Sequence, residues 1–399
     1  MRNDLVFELN FDNVTTINHV MIRETGFSVQ AFHLEAWDGE NWATFYNNDL
    51  IGRERLCVFN AIETKRLRLV IDDAKGTPSI TGFEAGNQAP FEREKPFHVV
   101  GYFSPATFSR VPFTYDREQL AKFTDVILHN YLHWDIIDDK FDLKINPKIN
   151  TYIAMMKEAI GDLPLRTYLS VRNQHHVHMS RDPQDRAKII STVLKIALDN
   201  GFYGVDVDYE YPECQEDWDA YSAFLVELGQ ALHENGLKFS AATGVHNNHM
   251  SDAALDALDF YNIMVYDNNQ DPNHFFHSTF EYQVDALESA KRQGMKLDKI
   301  ILGMPFYGFY SVYKVDYSNS RQFKDLYSPA EDATFDYGAN FQNGYYFNGP
   351  YMVKDKTAHA IFSGCRGVMV WHIVADTKYE ARGSLTRAIN EAQEQFIKK

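Results

Sequence analysis

Apolar and polar positions follow two regimes along the 399-residue chain. Up to about residue 88, short apolar-rich runs recur at Leu5–Leu9, Asn18–Arg23, Gln30–Trp37, Trp42–Phe45, Arg55–Phe59 and Lys65–Ile71. Turns bearing Asn, Asp and Gly, such as Asp38-Gly39, part them. Short runs bounded by turn residues predict strands, and their recurrence predicts an all-β unit, a small sandwich of jelly-roll type, over 1–88. Residues 89–96 are charged and proline-bounded, which predicts a linker. Beyond it, strand and helix patterns alternate to the C-terminus. The strand candidates are His98–Phe103, Asp125–Asn130, Leu165–Val171, Gly204–Glu210, Lys238–Thr243, Phe260–Tyr266, Lys299–Pro305 and Gly367–His372. Amphipathic stretches intervene at Pro183–Asn200, Asp217–Asn235, Phe280–Gly294 and Lys354–Gly364. Eight alternating units in about 300 residues predict an α/β fold over 97–399, a (β/α)8 TIM barrel.

One of those strands carries the chemistry. Strand side chains alternate faces, so Asp206, Asp208 and Glu210 share one face and Val205, Val207 and Tyr209 the other. At a rise of about 3.3 Å per residue, neighbouring acids sit roughly 7 Å apart. Three carboxylates facing a barrel interior cannot all ionise cheaply. At least one pKa should rise and a proton should be shared. That is what a carboxylic acid needs to protonate a leaving group near neutral pH. A divalent-metal site or a solvated acidic edge strand competes with this reading, but the apolar opposite face favours a strand buried on both sides.

Composition narrows the partners. A formal net charge of −16 argues against a nucleic-acid or anionic-membrane partner and suits a neutral polymer. The 23 Tyr and 29 Phe favour stacking surfaces for carbohydrate, and also serve as core material. Cys57, Cys214 and Cys365 are odd in number, far apart and in no C-x-x-C pair, so neither a disulfide framework nor a zinc knuckle is expected. No run of 18 apolar residues occurs, so no membrane-spanning helix is expected. The polar start lacks a signal-peptide apolar core, as would a secreted enzyme whose signal had been removed. Seven histidines follow predicted strands: His175, His176, His178, His246, His249, His274 and His277. His129 and His133 have the H-x-x-x-H spacing that two metal ligands use. A zinc-dependent deacetylase would leave the acidic strand unexplained, so polar residues lining sugar subsites are the expectation.

The segment Phe202–Pro212 resembles the D-x-x-D-x-D-x-E signature of glycoside hydrolase family 18, the retaining chitinases and endo-β-N-acetylglucosaminidases. Asp206, Asp208 and Glu210 match its last three acids, while Tyr203 stands where the family usually has Asp. The resemblance implies that Glu210 is the acid/base. Asp208 would orient the substrate's 2-acetamido group and share a proton with Asp206. Met264-Val265-Tyr266-Asp267 resembles the family's M-x-Y-D motif, which implies that Tyr266 meets the attacking acetamido oxygen and Asp267 the sugar. Gly367–Trp371 fits the last barrel strand, with Trp371 as an apolar floor under the sugar. Gly303–Gly308 is similar to the seventh strand, with Tyr307 near the cleft, and Tyr102 occupies the place that supports the innermost acid. The third strand usually closes with Ser-x-Gly-Gly. Here it reads Ser170-Val171-Arg172-Asn173, so Ser170 still reaches toward Asp206 while two side chains replace glycines at the cleft rim.

By this resemblance the reaction is substrate-assisted, the family being an exception to the two-carboxylate scheme, and needs no metal or organic cofactor. The expected partner is an N-acetylglucosamine-containing oligo- or polysaccharide, met by a monomer that is secreted, periplasmic or on the cell surface. Asp208-Tyr209-Glu210-Tyr211-Pro212 is closer to the chitinase form D-W-E-Y-P than to endo-β-N-acetylglucosaminidases acting on N-glycan cores. A non-catalytic chitinase-like lectin is the other alternative, but such lectins typically replace the glutamate that Glu210 supplies. The stretch 309–366 is short for a large extra α+β lobe, so an open groove is expected. The N-terminal runs Ile17–Glu24, Phe32–Trp42 and Lys65–Ile71 resemble the later part of discoidin-like, galactose-binding-like modules.

Overall fold

The computed structural model describes residues 5–104, 115–246, 248–268, 276–310, 317–327 and 335–398. The all-β unit is a five-stranded antiparallel sheet, β1 (Leu5–Glu24), β2 (Val29–Trp37), β3 (Trp42–Asp49), β4 (Arg55–Ala74) and β5 (Ile80–Gly86), in the order β3-β2-β4-β1-β5. β1 and β4 each join two runs that read as separate strands in the sequence. The polar stretches between those runs do not turn the chain back. Register shifts at Asn10/Thr15 and Ile17/His19 absorb the extra residues, and pairing resumes beyond them. β2 pairs with the second half of β4, and β5 with the second half of β1. Their apolar faces meet in one cluster that includes Ile17, Val20, Phe32, Leu34, Tyr46, Leu67 and Leu69. β5 escaped the sequence reading because its run, Ile-Thr-Gly-Phe-Glu-Ala-Gly, is mostly small or polar.

All eight expected barrel strands form. They are β6 (His98–Phe103), β7 (Asp125–Leu128), β10 (Arg166–Asn173), β11 (Gly204–Asp208), β12 (Lys238–Thr243), β13 (Phe260–Ile263), β14 (Ile300–Pro305) and β19 (Gly367–Trp371). They pair in parallel in chain order, and β19 closes onto β6. After β7, an antiparallel hairpin of β8 (Leu132–Ile137) and β9 (Lys140–Ile145) extends the end of β10. Between β14 and β19 lies a small antiparallel sheet of β15 (Tyr307–Tyr310), β16 (Ser320–Gln322), β17 (Phe341–Gln342) and β18 (Tyr345–Tyr346). Helices cover the outside where the amphipathic pattern placed them. Pro183–Asp199, for example, starts with Pro183 in its first turn, and the Asp182 side chain accepts from the Gln184 N–H.

The helix Pro350–Phe362 departs from the expected amphipathic pattern. Lys354, Asp355, Lys356, Thr357 and His359 are all buried. Their polar face is covered by the N-terminal sheet rather than by water. Fully buried Arg55 of β4 pairs with Asp355 at 2.9 Å, the Val58 N–H donates to the same carboxylate at 2.8 Å, and the Tyr46 hydroxyl donates to it as well. Lys356 donates to the Ser278 carbonyl, the Ser278 hydroxyl and the Asn348 side chain. Leu56 and Val58 belong to the barrel's own apolar cluster. The segment expected as a linker is tied down too: the Phe91 N–H donates to the Phe396 carbonyl at 3.1 Å, and Arg93 donates to the Ile361 carbonyl at 3.1 Å.

Removing one partner of a buried ion pair leaves the other charge uncompensated. Arg55→Met should therefore lower the unfolding free energy by about 3–5 kcal/mol, measured by denaturant titration. A loss below about 1 kcal/mol, the usual worth of an exposed pair, would show that the sheet is not anchored through Asp355.

Candidate active site

β11 delivers the acids because its other face is apolar. Val205, Val207 and Tyr209 pack into the layer between barrel and helices, while Asp206 and Asp208 are buried at 0% and 4% exposure. Parallel pairing sets Tyr168, Ser170 and Arg172 of β10 beside Gly204, Asp206 and Asp208. On the other side, β12 sets Ser240 beside Asp206. Gly204 is required at this closeness, because a Cβ there would lie 2.5 Å from the Tyr168 ring. Tyr203, at the departing family position, precedes the strand. It lies 42% exposed with its ring edge-on to Tyr168, at the opposite end of β11 from the acids' partners.

Asp206 accepts from the hydroxyl of Tyr102 (2.9 Å), the hydroxyl of Ser240 (2.6 Å) and the amide of Asn262 (3.2 Å). Burial pushes it up to about 7, aided by the Asp208 charge and opposed by the three donors. Ser170 was expected to donate here. It is the register partner of Asp206, yet its buried hydroxyl has no hydrogen-bond partner among the described residues. Ser240 on the opposite neighbouring strand makes the bond instead.

Asp208 behaves differently. His129, the residue after β7, lies with Nε2 2.8 Å from Asp208 Oδ2. Burial opposes ionisation of Asp208, but the hydrogen bond and charge of His129, with Arg172 and His133, outweigh it and hold the carboxyl below its usual range. Burial keeps His129 itself below the usual imidazole range despite the carboxylate beside it. The other oxygen, Asp208 Oδ1, has no hydrogen-bond partner among the described residues. No hydrogen bond joins Asp206 to Asp208, so each aspartate has its own set of partners.

Glu210 follows the strand, which ends at Asp208 rather than continuing through it as expected. Asn173 clamps its backbone: the Asn173 amide donates to the Glu210 carbonyl and the Glu210 N–H to the Asn173 side-chain oxygen, both at 3.2 Å. The Arg172 guanidinium lies 3.8 Å from Glu210 Oε1. Desolvation and the Asp208 charge push the Glu210 carboxyl up to about 8 against the pull of Arg172. Its side chain is 34% exposed, so water and ligands reach it from the cleft.

The second wall follows β13, which ends at Ile263, so Met264–Asp267 lies just beyond the strand. The buried Tyr266 ring meets Tyr307 edge-on at 6.2 Å. Asp267, at φ 58°, accepts from the Tyr307 hydroxyl at 2.5 Å and faces His277 at 3.2 Å. Met264 and the half-buried Trp371 pack against a cluster containing Tyr102, Tyr266 and Tyr307. His129 stands edge-on to Trp371 at 4.9 Å. The expected site residues thus converge on one end of the barrel through Asp206, Asp208, Tyr102, Tyr266, Asp267, Tyr307 and Trp371, with Glu210 at their rim.

The histidines, expected as polar residues lining sugar subsites, sort into several groups. His129 binds Asp208, whereas His133 Nε2 lies 2.9 Å from Asn130 Oδ1, so the two rings serve different partners. His277 alone of the seven loop histidines meets a candidate site residue among the described residues, and His274 lies outside them. No group of three or more His, Cys, Asp or Glu side chains among the described residues could hold a metal ion. Sequence reasoning missed the roles of His129, Arg172, Asn173, Ser240 and Asn262. Strand parity held a signal for Arg172, which sits two residues past Ser170 as Asp208 sits two past Asp206.

Known proteins agree with this architecture. Chitinase B of Serratia marcescens is 24% identical over 308 residues, covering 59% of this chain and 61% of its own length. Class V chitinase of Arabidopsis thaliana is 24% identical over 214 residues, 47% of this chain and 55% of its own length. The chain thus spans less than two thirds of these relatives. Among solved structures, a chitinase from the chitin utilization locus of Flavobacterium johnsoniae superposes with a TM-score of 0.60 at 24% identity, covering 75% of this chain and 94% of that one. A chitinase from Cycas revoluta in complex with (GlcNAc)3 gives 0.60 at 16%, covering 74% and 99%. The sequence pattern of Glycosyl hydrolases family 18 matches residues 98–376, the whole span from β6 to just past β19. With the acidic strand set in a closed eight-stranded barrel, the chain belongs to glycosyl hydrolases family 18.

Proposed function

We propose that the protein hydrolyses β-1,4 bonds next to N-acetylglucosamine in chitin-type chains, with retention of configuration and Glu210 as acid/base. The observation that carries this reading is the contrast between two neighbours: Glu210 is raised to about 8 and reachable from the cleft, while Asp208 is held ionised. Environments that push two carboxyl groups apart mark an acid and its charged companion. Protonated Glu210 donates to the glycosidic oxygen. The substrate's acetamido carbonyl attacks the anomeric carbon as the leaving group departs, forming an oxazolinium ion. The Asp208 carboxylate accepts from the acetamido N–H and offsets the positive charge, with Oδ1, unpartnered among the described residues, available for that bond. The neutral Tyr266 phenol donates to the acetamido oxygen. Glu210 then takes a proton from the water that opens the ring. Trp371 supplies an apolar face for the pyranose C–H surface, and Asp267 a hydrogen-bond partner for a sugar hydroxyl. Relatives with the same barrel bear the name chitinase, and one was solved with an N-acetylglucosamine trimer.

Glu210→Gln keeps the shape but cannot deliver a proton. Hydrolysis of chito-oligosaccharides should fall by about 10²–10⁴, and retention of more than about a tenth of wild-type turnover would reassign the acid. Product analysis on a high-mannose glycoprotein in parallel separates this reading from an N-glycan endoglycosidase. A thiazoline mimic of the oxazolinium ion should bind about 10²-fold or more tighter than substrate, and Tyr266→Phe should weaken it. Trapping an ester on Asp206 or Asp208 would overturn substrate assistance.

The same substitution has a stability signature. A carboxyl raised from 4.5 to about 8 binds its proton more tightly when folded, so wild-type stability falls as pH rises across that window. The Tm advantage of Glu210→Gln over wild type should therefore widen between pH 4.5 and about 8 and then level off. A difference independent of pH would show that Glu210 is not perturbed.

A further inference from the structure

We propose that His129 and Arg172 are positioning residues that clamp the Asp208 carboxylate apart from Asp206, and that they set the acid side of the pH–rate profile. This rests on the reading of Glu210 as the acid. Both residues stand at the mouth of the barrel on the same side of β11: Arg172 is the register partner of Asp208 on the adjacent β10, and His129 follows β7, the strand beyond β10. His129 is 2% exposed, wedged between Trp371 (4.9 Å) and Tyr102 (5.6 Å). A carboxylate can only accept, so the imidazole proton facing it sits on Nε2. The buried Nδ1 has no hydrogen-bond partner among the described residues, so Asp208 is the one hydrogen-bond partner of His129 there.

The surrounding charges define what this clamp does. Asp208 is faced by Asp206 on its own strand, by Glu210, by His129, by His133 of β8 and by Arg172 of β10. The phenols of Tyr102, Tyr221 and Tyr266 complete the surroundings, and Asp267 faces Glu210. Asp206 already takes three donors from Tyr102, Ser240 and Asn262, none of which reaches Asp208. The two aspartates are thereby separated into independently partnered groups. Asp208 keeps its negative charge through His129 and Arg172 rather than by passing a proton to its neighbour. Arg172 also touches Glu210, so it acts on both ends of the profile while His129 acts on one.

The test is kcat/KM on a chromogenic chito-oligosaccharide from about pH 4 to about pH 9 for full-length wild type, His129→Phe, His129→Gln, Arg172→Met and Arg172→Lys. His129→Phe removes the donor. Activity on the acid limb should fall about tenfold relative to the plateau while the alkaline limb stays in place. His129→Gln keeps an N–H donor and should recover most of that loss. Arg172→Met removes charge from both carboxyl groups, so both limbs should move to higher pH, and Arg172→Lys should return them. A carboxyl-¹³C titration of Asp208 in the Glu210→Gln background reads the clamp without turnover: the Asp208 midpoint should rise on adding His129→Phe or Arg172→Met. Unmoved limbs and an unmoved midpoint in folded variants overturn the proposal. Inactive wild type, or active Glu210→Gln, instead overturns the reading of the site while the titration still decides the clamp. Should His129→Phe fail to fold, the Arg172→Met and Arg172→Lys pair carries the same decision.

Discussion

Burying carboxyl groups inside a barrel is the constraint around which this structure is organised. An isolated buried carboxylate is costly unless it is hydrogen-bonded or paired, and β11 places two in the interior and a third at the rim. Every neighbouring strand contributes to their compensation. β6 supplies Tyr102, β12 Ser240 and β13 Asn262 for Asp206. The segment after β7 supplies His129 for Asp208, and β10 supplies Arg172 and Asn173 around Glu210. Because these partners differ in kind, the three acids end in three different electrostatic states.

The same rule governs the joint between the N-terminal sheet and the barrel. Asp355 on the helix Pro350–Phe362 would be an exposed charge on an ordinary barrel, but here Arg55, Tyr46 and Val58 meet it in a buried interface. The sheet is therefore part of the molecule's core rather than a tethered accessory. Around its edge, Arg53 meets Glu281, Asp285 and Glu288, and Asn47 meets Asp336. The exposed pairs contribute little individually, and the buried network fixes the orientation.

The departures from the family pattern have structural consequences of unequal weight. Tyr203 lies at the end of β11 remote from the chemistry and packs on Tyr168. The replacement of two glycines by Arg172 and Asn173 falls at the active end instead, where the new side chains touch the side chain and backbone of Glu210. A change of motif at one end of a strand borders the candidate site, and at the other end it alters packing, because a barrel of this kind presents one end of its strands to ligand.

Periodicity determined the eight barrel strands, their order and the face carrying the acids, since alternation along a strand is local and every buried strand here is strongly apolar on its outward face. The resemblance of strand-end motifs to those of the family pointed to Tyr102, Tyr266, Asp267, Tyr307 and Trp371, and a closed barrel brings all such ends together. Only the tertiary structure decided which serine meets Asp206, that His129 engages Asp208, and that a helix with Lys-Asp-Lys in its middle is buried on all sides. Those choices depend on strand stagger and on which surface covers which. They are made between residues dozens to hundreds of positions apart, where no local pattern in the chain carries the information.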